Sequence, residues 1–289
     1  MKPIRFNASQ VPTFLGYFGN ERLHDAVRDL WRKHSATTYA SALRDQSERR
    51  GAPVSALTRE EETHALMRSV CADTLAEISK PAQSITEVAD RKAAVASSLA
   101  QVLPALAPEQ QRAVQAVCEK QVNTRYGTAR ESSVLERFAN ALPARVSVDQ
   151  RLYSKSYDAF VLQGRIDGWA ERSDAPDANG WAERSEAAEN PLREIVEIKN
   201  RINRLFHSLR DYERMQLQIY FEICNTSSGY LVEAHGQEMD FIRDERDPEW
   251  FREIVLEPLA LVAERMRNLF EDPICQRYFF ETDPQQWTW

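Results

Sequence analysis

The sequence predicts a mixed α/β (α+β) fold, with a central mixed sheet flanked by helices and a helical insertion near the N-terminus. Two observations carry this prediction. Residues 159–169 and 194–200 alternate apolar and polar side chains as strands do, and the segments 127–142 and 206–224 repeat apolar residues at helical spacing. Strands and helices interspersed in this way pack as a sheet covered by helices.

The composition is that of a globular chain. Of its 289 residues, 43% are hydrophobic and 28% are charged, which indicates one large domain or two closely joined ones. The N-terminal segment lacks the apolar run of a signal peptide, and no stretch is long enough to span a membrane. We therefore expect an intracellular protein, in the cytoplasm or nucleus, with no membrane association.

The four cysteines, Cys71, Cys118, Cys224 and Cys275, are widely separated. This spacing disfavours a disulfide framework, a zinc site and an iron–sulfur cluster.

The N-terminal part begins with an extended entry and a helix, over residues 1–34. Ser9 is a candidate cap for a short helix that starts at Gln10. Residues 35–57 are polar and are interrupted by glycine and proline, which favours a loop or linker.

Helices are expected from there to the middle of the chain. Thr58 opens a capping box before a helix to about residue 79, a second helix covers residues 85–103, and a third begins after Pro108. The predicted organisation is an N-terminal segment of the core (1–34), a helical insertion subdomain (35–120) and the rest of the core (121–289).

Side-chain parity places an acidic and a basic residue on one face of the strand over residues 194–200. Successive residues of a strand point to opposite faces, so Glu197 and Lys199 project together. In the preceding strand, Arg165 and Asp167 share a face. If the two strands pair as neighbours, Asp167 and Glu197 converge on one side of the sheet.

Two such carboxylates have a specific chemical use. They repel each other on a partly buried sheet unless a cation lies between them, and their oxygens suit Mg²⁺ or Mn²⁺. Such an ion polarises a phosphate and lowers the pKa of an attacking water, while Lys199 orients that water or offsets developing charge. The alternative is an ordinary exposed ion pair, which the Glu-x-Lys spacing alone fits better.

Two further polar residues fall on helix faces that should be buried. Glu131 lies four residues before Leu135 on an apolar stripe, and Gln216 lies on the stripe of the helix over residues 206–224, whereas Gln218 points elsewhere. For either residue alone, a satisfied buried hydrogen bond is the alternative. Together they predict that two helices and two strands direct polar groups at one place.

Four short motifs, taken in order, resemble those of a known family. Gly-x-x-x-Glu (127–131), Gly-x-x-Asp-Gly (164–168), Glu-x-Lys (197–199) and Gln-x-Gln (216–218) look like the motifs of PD-(D/E)XK nucleases of the lambda-exonuclease and YqaJ viral-recombinase type. The opening FNASQVPTFLG is similar to that family's N-terminal segment. The resemblance covers residues 5 to 30 and about 120 to 270.

The resemblance implies a restriction-endonuclease-like core and a Mg²⁺-dependent DNA exonuclease. Members of the family degrade one strand of duplex DNA from an end, in recombination, repair or viral genome processing. The resemblance implies that Asp167 and Glu197 bind Mg²⁺ or Mn²⁺, that Glu131 supports the site as a further metal ligand, that Lys199 assists the water, and that Gln216 orients the site or the substrate.

The resemblance also implies partners. DNA, in the form of linear duplex ends, is the expected substrate, and Ser9 is expected to lie near its 5′ phosphate. The other expected DNA contacts are Arg165, Arg201 and Arg204. A single-strand annealing or recombination protein and further copies of the chain, which surround the DNA as a ring in some members, are the other expected partners.

The connection between the two predicted strands departs from that family. It contains a tandem near-copy of twelve residues, GWAERSDAPDAN followed by GWAERSEAAENP, over residues 168–191. Its composition indicates an elongated hairpin tip or a flexible loop. Trp169 and Trp181 open the two copies. Stacking on DNA bases is permitted, although a duplicated loop without function is favoured.

The net charge of the chain and the local charge near the proposed site point to different conclusions about DNA binding. A formal net charge of −7 does not indicate a DNA-binding surface. Residues 199–214, however, carry five Lys and Arg side chains against two acidic ones, a net charge of +3 beside the proposed site. This segment either guides a phosphate backbone or is a solvated, amphipathic helix face.

The C-terminal part is predicted to contain two strands joined by a turn at Gly236 and a long helix opened by Asp247. It ends in a tail whose Trp287 and Trp289 pack against the body or against a neighbouring subunit.

Three functions stay open on the sequence alone. The first is a Mg²⁺-dependent DNA exonuclease, the second is an endonuclease of the same fold that acts on internal or branched sites, and the third is a DNA-binding or scaffolding protein without turnover.

Overall fold

The computed structural model describes residues 2–171 and 193–289. Its strands are β1 (Ile4–Asn7), β2 (Arg145–Val148), β3 (Tyr153–Ser156), β4 (Phe160–Gly164), β5 (Gly168–Glu171), β6 (Arg193–Asn200), β7 (Ser228–His235) and β8 (Glu238–Glu245). Its helices are α1 (Val11–Phe14), α2 (Asn20–His34), α3 (Ala36–Arg50), α4 (Arg59–Val70), α5 (Ala72–Ile78), α6 (Ile85–Ala100), α7 (Pro108–Ala141), α8 (Asp211–Cys224), α9 (Pro248–Phe251), α10 (Glu257–Glu271) and α11 (Pro273–Glu281). Strands and helices are thus interspersed as the sequence predicts.

The strands form two sheets. The larger has the order β2-β5-β6-β7-β8 and is mixed, because β6 and β7 run parallel while the other neighbours are antiparallel. The smaller sheet has the order β1-β4-β3. The single strand predicted over residues 159–169 is therefore wrong, because its two halves, β4 and β5, pair with different neighbours.

Helices cover both faces of the larger sheet, as predicted. Ile195 of β6 packs in a hydrophobic core with residues of α8, whereas Val196 and Ile198 pack with Val134 and Phe138 of α7. The alternation of side chains along β6 is therefore confirmed. Because α8 also contacts β3 and β4, it lies between the two sheets.

The helical insertion has a hydrophobic core of its own. This core joins α4, α5, α6 and the first half of α7 through buried side chains that include Met67, Ile78, Val88 and Val114. The predicted helix start at Gly127 is wrong, because α7 passes through this residue without a break. The predicted boundary at residue 120 also falls inside α7, so one helix belongs to both the insertion and the sheet layer.

Several local predictions can be compared with the structure. The capping box at Thr58 is confirmed, although the helix that follows is interrupted at Cys71, between α4 and α5. The loop predicted over residues 35–57 is wrong, because α3 buries Tyr39 and Ala42 against the main core. Ser9 lies in a 3-10 turn and makes no cap, so its predicted capping role is wrong.

The C-terminal predictions are confirmed in outline. The hairpin β7–β8 turns at Gly236, which has a positive φ of 57°, and the Asp247 side chain accepts a hydrogen bond from the Trp250 amide at the start of α9. Trp287 is buried against His24 and Phe279, so this part of the tail packs on the body. No helix within the described residues has the length and apolarity needed to cross a membrane.

Candidate active site

Strand register brings the two predicted carboxylates together. Gly168, which follows Asp167, pairs with Val196, which precedes Glu197. One Asp167 carboxylate oxygen, Oδ2, accepts a hydrogen bond of 2.7 Å from the backbone amide of Ile198. The side chain of Asp167 therefore lies against β6, beside Glu197, as expected for neighbouring strands.

Glu197, Lys199 and Gln216 form a closed hydrogen-bond network. The Lys199 ammonium donates to Glu197 Oε1 at 2.7 Å and to Gln216 Oε1 at 3.0 Å, and Gln216 Nε2 donates to the same Glu197 oxygen at 2.8 Å. Two residues of β6 and one of α8 are thereby held in fixed positions. Gln218, by contrast, donates to Asp244 and to the backbone of Glu245, away from this network, as predicted.

Tyr220 extends the network and was missed by the sequence analysis. Its hydroxyl accepts a hydrogen bond of 2.8 Å from Gln216 Nε2, one turn earlier on α8. The Tyr220 ring packs so closely on β4 that a Cβ atom at Gly164 would lie 2.6 Å from it, which explains the glycine at this position. The available signal was the spacing of four residues, which places Tyr220 on the same helix face as Gln216.

The electrostatics of the site show a surplus of negative charge. Burial, followed by the nearby charges of Glu197 and Glu131, raises the pKa of Asp167 to about 8. The pKa of Glu131 is also raised, first by burial and then by Glu197. Burial opposes the charge of Lys199, but the hydrogen-bonded Glu197 carboxylate raises the net pKa of this ammonium. Three carboxylates therefore share one neighbouring cation.

A hard divalent cation fits this donor set in its chemistry. Asp167 and Glu197 supply carboxylate oxygens, and Mg²⁺ commonly takes one or two carboxylates together with several waters. Within residues 2–171 and 193–289, however, no group of three or more His, Cys, Asp or Glu side chains is arranged closely enough to hold an ion. Glu131 as a third ligand therefore stays a prediction.

Arg201 has a structural environment that the sequence did not reveal. Its Nε donates to Glu233 at 2.6 Å and its Nη2 donates to Glu213 at 2.6 Å. Only 12% of the Arg201 side chain is exposed, and both glutamates are almost fully buried. The geometry does not support the predicted DNA contact of Arg201, because its guanidinium already neutralises two buried carboxylates.

The basic segment over residues 199–214 is largely neutralised in the same way. Its cations pair with carboxylates from β6, α8, β7 and the β8–α9 region. Among the described residues, Arg204 is the cation of this segment without an ion pair. The helix predicted from residue 206 begins only at Asp211, because the amides of Phe206 and His207 donate to Glu233.

The other predicted DNA contacts are accessible. Ser9 and Arg165 are exposed, and Arg165 lies between β4 and β5, two residues before Asp167. Near Ser9, a cavity of about 360 Å³ is lined by basic and amide side chains that include Lys2, Arg5 and Gln163. These positions are compatible with contact to a substrate, and their contact with DNA stays a prediction.

Of the two tryptophans of the duplicated segment, Trp169 lies within the described residues. Trp169 is buried on β5, and its Nε1 donates a 2.9 Å hydrogen bond to Asp149, so stacking of Trp169 on DNA bases is wrong. Trp181 and the rest of the repeat, residues 172–191, lie outside the described residues.

No protein-family model matches the chain, and no curated protein is significantly similar to it in sequence. Among solved structures, the chain is similar to an alkaline exonuclease (LHK-Exo) from Laribacter hongkongensis, with 16% identity, a TM-score of 0.38, and coverage of 56% of this chain and 84% of that one. A structure of LHK-Exo in complex with dAMP matches with 14% identity, a TM-score of 0.40, and coverage of 68% and 92%.

Proposed function

We propose that this protein is a Mg²⁺-dependent deoxyribonuclease that hydrolyses phosphodiester bonds, and that it is an exonuclease acting on the ends of duplex DNA. One observation carries the proposal: Asp167, Glu197, Lys199 and Gln216 meet in one half-buried place beside Glu131. An ordinary structural ion pair needs one carboxylate for its cation. A surplus of buried carboxylates costs folding free energy, and such clusters occur where function requires them.

Each residue has a distinct role in the proposed reaction. When bound, Mg²⁺ or Mn²⁺ supplies polarisation of the phosphate and a water of lowered pKa. Asp167 and Glu197 are the residues that would hold the ion. Two of the three N–H groups of Lys199 donate to Glu197 and Gln216, which leaves the third to orient the water or to stabilise negative charge on the phosphate. Gln216 fixes this geometry from α8.

A DNA-binding protein without turnover is the second candidate, and one observation favours it. Glu197 Oε1 already accepts hydrogen bonds from both Lys199 and Gln216, so one of its two oxygens is occupied. In a hydrolytic enzyme the other oxygen and Asp167 would take the ion. In a protein that has lost turnover, the same network would be purely structural.

The decisive experiment compares end-labelled linear duplex DNA with closed circular duplex DNA, each with Mg²⁺ and with EDTA. We expect progressive loss of the linear substrate only, and only with Mg²⁺. Nicking of the circle would support an endonuclease instead. Binding of the linear DNA without cleavage at any Mg²⁺ or Mn²⁺ concentration would support the protein without turnover.

The biological setting that we propose is recombination, repair or viral genome processing, with a single-strand annealing or recombination protein as partner and a homo-oligomer as a further expectation. These points rest on the motif resemblance. Size-exclusion chromatography with light scattering tests the oligomer directly.

A further inference from the structure

Arginine and aromatic side chains alternate in a strip that runs from the first turn of α2 to the loop before α8. Neighbouring members lie between 3.7 and 5.7 Å apart, measured between ring centroids or from a guanidinium carbon to a ring centroid. All members are partly or fully exposed, so the strip lies at the surface. In spatial order, the arginine–aromatic strip consists of Arg22, Phe18, Tyr212, Arg210, Phe206 and Arg204.

Tyr212 places the strip beside the candidate active site. It lies one turn before Gln216 on α8, so the two side chains share a helix face. Gln216 accepts a hydrogen bond from Lys199 and donates one to Glu197. Burial raises the pKa of Tyr212, and the nearby charge of Lys199 opposes this rise. The strip therefore begins on the α8 side of the larger sheet, which is the face that carries Glu197 and Lys199.

The arginines at the two ends of the strip are available to an anion. Among the residues that the structure describes, Arg22 and Arg204 form no ion pair, whereas Arg210 pairs with Glu213 at 3.1 Å. Each end guanidinium lies over an aromatic ring, which orients its plane and leaves the N–H groups at its edge for a ligand. Planar arginine donors held in this way match the oxygens of a phosphate.

An exposed ring adjoins these arginines. Tyr17 precedes Phe18 in a turn between Gly16 and Gly19, which both have a φ of 85°, and Tyr17 is 42% exposed. Burial, followed by the charge of Asp211, raises the pKa of Tyr17, so its hydroxyl lies near the start of α8. An accessible ring beside oriented arginines is the combination that binds single-stranded nucleic acid, because bases stack on the ring and phosphates pair with the cations.

We propose that the arginine–aromatic strip and Tyr17 bind a single strand of DNA next to the candidate active site, with phosphates on Arg22 and Arg204 and a base on Tyr17; this inference rests on the proposed function. Bases within a duplex are stacked on one another and offer no free face to an aromatic side chain. An exonuclease at a duplex end meets such free faces once the terminal base pairs have opened, because the separated bases are then unstacked.

The test measures DNA binding by the full chain in EDTA, so that affinity is determined without cleavage. A fluorescently labelled oligo(dT) strand and a blunt duplex of the same length are titrated by anisotropy at several salt concentrations. One variant, Arg22→Ala/Arg204→Ala, removes the end cations, and a second, Tyr17→Leu, removes the exposed ring.

Each variant has a control of the same chemistry elsewhere on the surface. Arg44→Ala/Arg68→Ala removes two exposed arginines, one on α3 and one on α4. Tyr278→Leu removes a tyrosine on α11 that is 52% exposed. Both controls should bind the single strand as wild type does.

For Arg22→Ala/Arg204→Ala we expect the slope of log affinity against log salt to fall in magnitude by about 1.4, since each phosphate contact to a single strand contributes about 0.7. At about 0.1 M salt this change corresponds to roughly 25-fold weaker binding. Tyr17→Leu should bind the single strand about tenfold more weakly, as for the loss of one stacked base, with an unchanged salt slope. Binding of the duplex should change less in both variants.

Wild-type affinity for the single strand in either variant, an equal loss in its control, or an equal loss on the duplex would overturn the inference, as would failure of the wild type to bind the single strand. These outcomes are separate from turnover. If the wild type digests linear duplex DNA while the variants bind normally, the proposed function stands and this inference fails. If binding changes as expected but no DNA is ever cleaved, the nuclease function fails and the strip stands as a DNA-binding site.

Discussion

Lys199 is the cation on which the charge balance of the candidate site depends. It donates to both Glu197 and Gln216 and is the nearest positive charge to three carboxylates. Its role was predictable from sequence, because alternation along a strand places it on the face of Glu197. The acceptor on α8 was only partly predictable, since the sequence indicates that Gln216 points inward but not which strand it meets.

We predict that Lys199→Ala lowers the rate of DNA hydrolysis about 10²–10³-fold, as for removal of one preorganised donor to a developing charge. The measurement is single-turnover cleavage of end-labelled duplex DNA with saturating Mg²⁺. Lys120→Ala on α7 is the control, because that lysine pairs with Glu60 of the insertion. A rate near wild type for Lys199→Ala, in a folded protein, would show that the ammonium has no part in hydrolysis.

Arg201 and Arg204 differ in environment although the sequence places them three residues apart. Glu233, which accepts from Arg201, is 0% exposed, and Glu213 is 1% exposed. Arg204 is exposed and lies over the Phe206 ring. Sequence cannot separate the two because the partner Glu233 comes from β7, a different part of the chain.

We predict that Arg201→Ala destabilises the fold by about 3–5 kcal/mol, because it leaves the buried Glu233 carboxylate without its cation, while Glu213 keeps its ion pair with Arg210. Arg204→Ala should change the unfolding free energy by less than about 0.5 kcal/mol and should lower the salt dependence of DNA binding by about one counterion. Urea unfolding and anisotropy titrations at several salt concentrations measure the two effects. A stable Arg201→Ala protein with weakened DNA binding would reverse this assignment.

At the scale of elements, the sequence predicts which face of a strand or helix is buried better than it predicts where that strand or helix is interrupted. The alternation in β6 and the inward face of α8 follow from side-chain pattern alone. The break between β4 and β5 does not, because residues 165–167 continue the polar–apolar pattern while the backbone changes sheets. This break matters for the site, because the chain leaves the smaller sheet after β4 and enters the larger sheet at β5, which places Asp167 beside β6.

Glycine and polar composition misled the helix predictions for physical reasons. Gly127 inside α7 costs helix stability, about 1 kcal/mol relative to alanine, yet the packing of both ends of the helix outweighs this cost. Its carbonyl also accepts a hydrogen bond of 2.9 Å from Asn200, at the end of β6. In α3 only a narrow stripe is buried, so its composition resembles a loop, and Gly51, with φ of 63°, ends the helix.

The contact between α2 and α11 should be sensitive to acid. His24 of α2 is stacked on Phe279 with ring centroids 4.0 Å apart, and burial, followed by the nearby Arg28, lowers its pKa to about 4. In the unfolded chain its pKa is about 6.5. As pH falls below 6.5, the unfolded state binds a proton that the folded state excludes, so stability is present above pH 6.5 and is lost down to pH 4.

We predict that this one group costs the wild type about 2 kcal/mol of unfolding free energy between pH 7 and pH 5. Urea unfolding at the two pH values, compared between wild type and His24→Phe, isolates the contribution, because other groups titrate in both proteins. An identical pH dependence in the two proteins would show that His24 titrates normally in the folded state.

At the scale of the whole molecule, counting charges along the sequence gives the wrong electrostatic picture. The +3 surplus over residues 199–214 is offset by carboxylates at positions 233, 244 and 247 that folding brings beside it. The carboxyl groups without a cation of their own are instead Glu131 and Asp167, beside the Glu197–Lys199 ion pair, and the raised pKa of each shows that its negative charge is disfavoured there. Under the proposed function, a cation bound at the site would let these groups ionise and would attract the phosphate backbone.

Divalent cations should therefore stabilise the whole fold through this one site. A cation present at about ten times its dissociation constant, and bound only by the folded state, raises the unfolding free energy by about 1.4 kcal/mol. For a chain of this size the melting temperature then rises by about 2–3 °C. We expect this rise with Mg²⁺ and Mn²⁺ in wild type and its loss in Asp167→Asn/Glu197→Gln. Glu60→Gln/Glu109→Gln, a pair of acidic residues on the insertion, is the matched control and should retain the rise. The same rise in all three proteins would mean that the ions act on the surface at large, and the convergence of carboxylates would then have no metal-binding role.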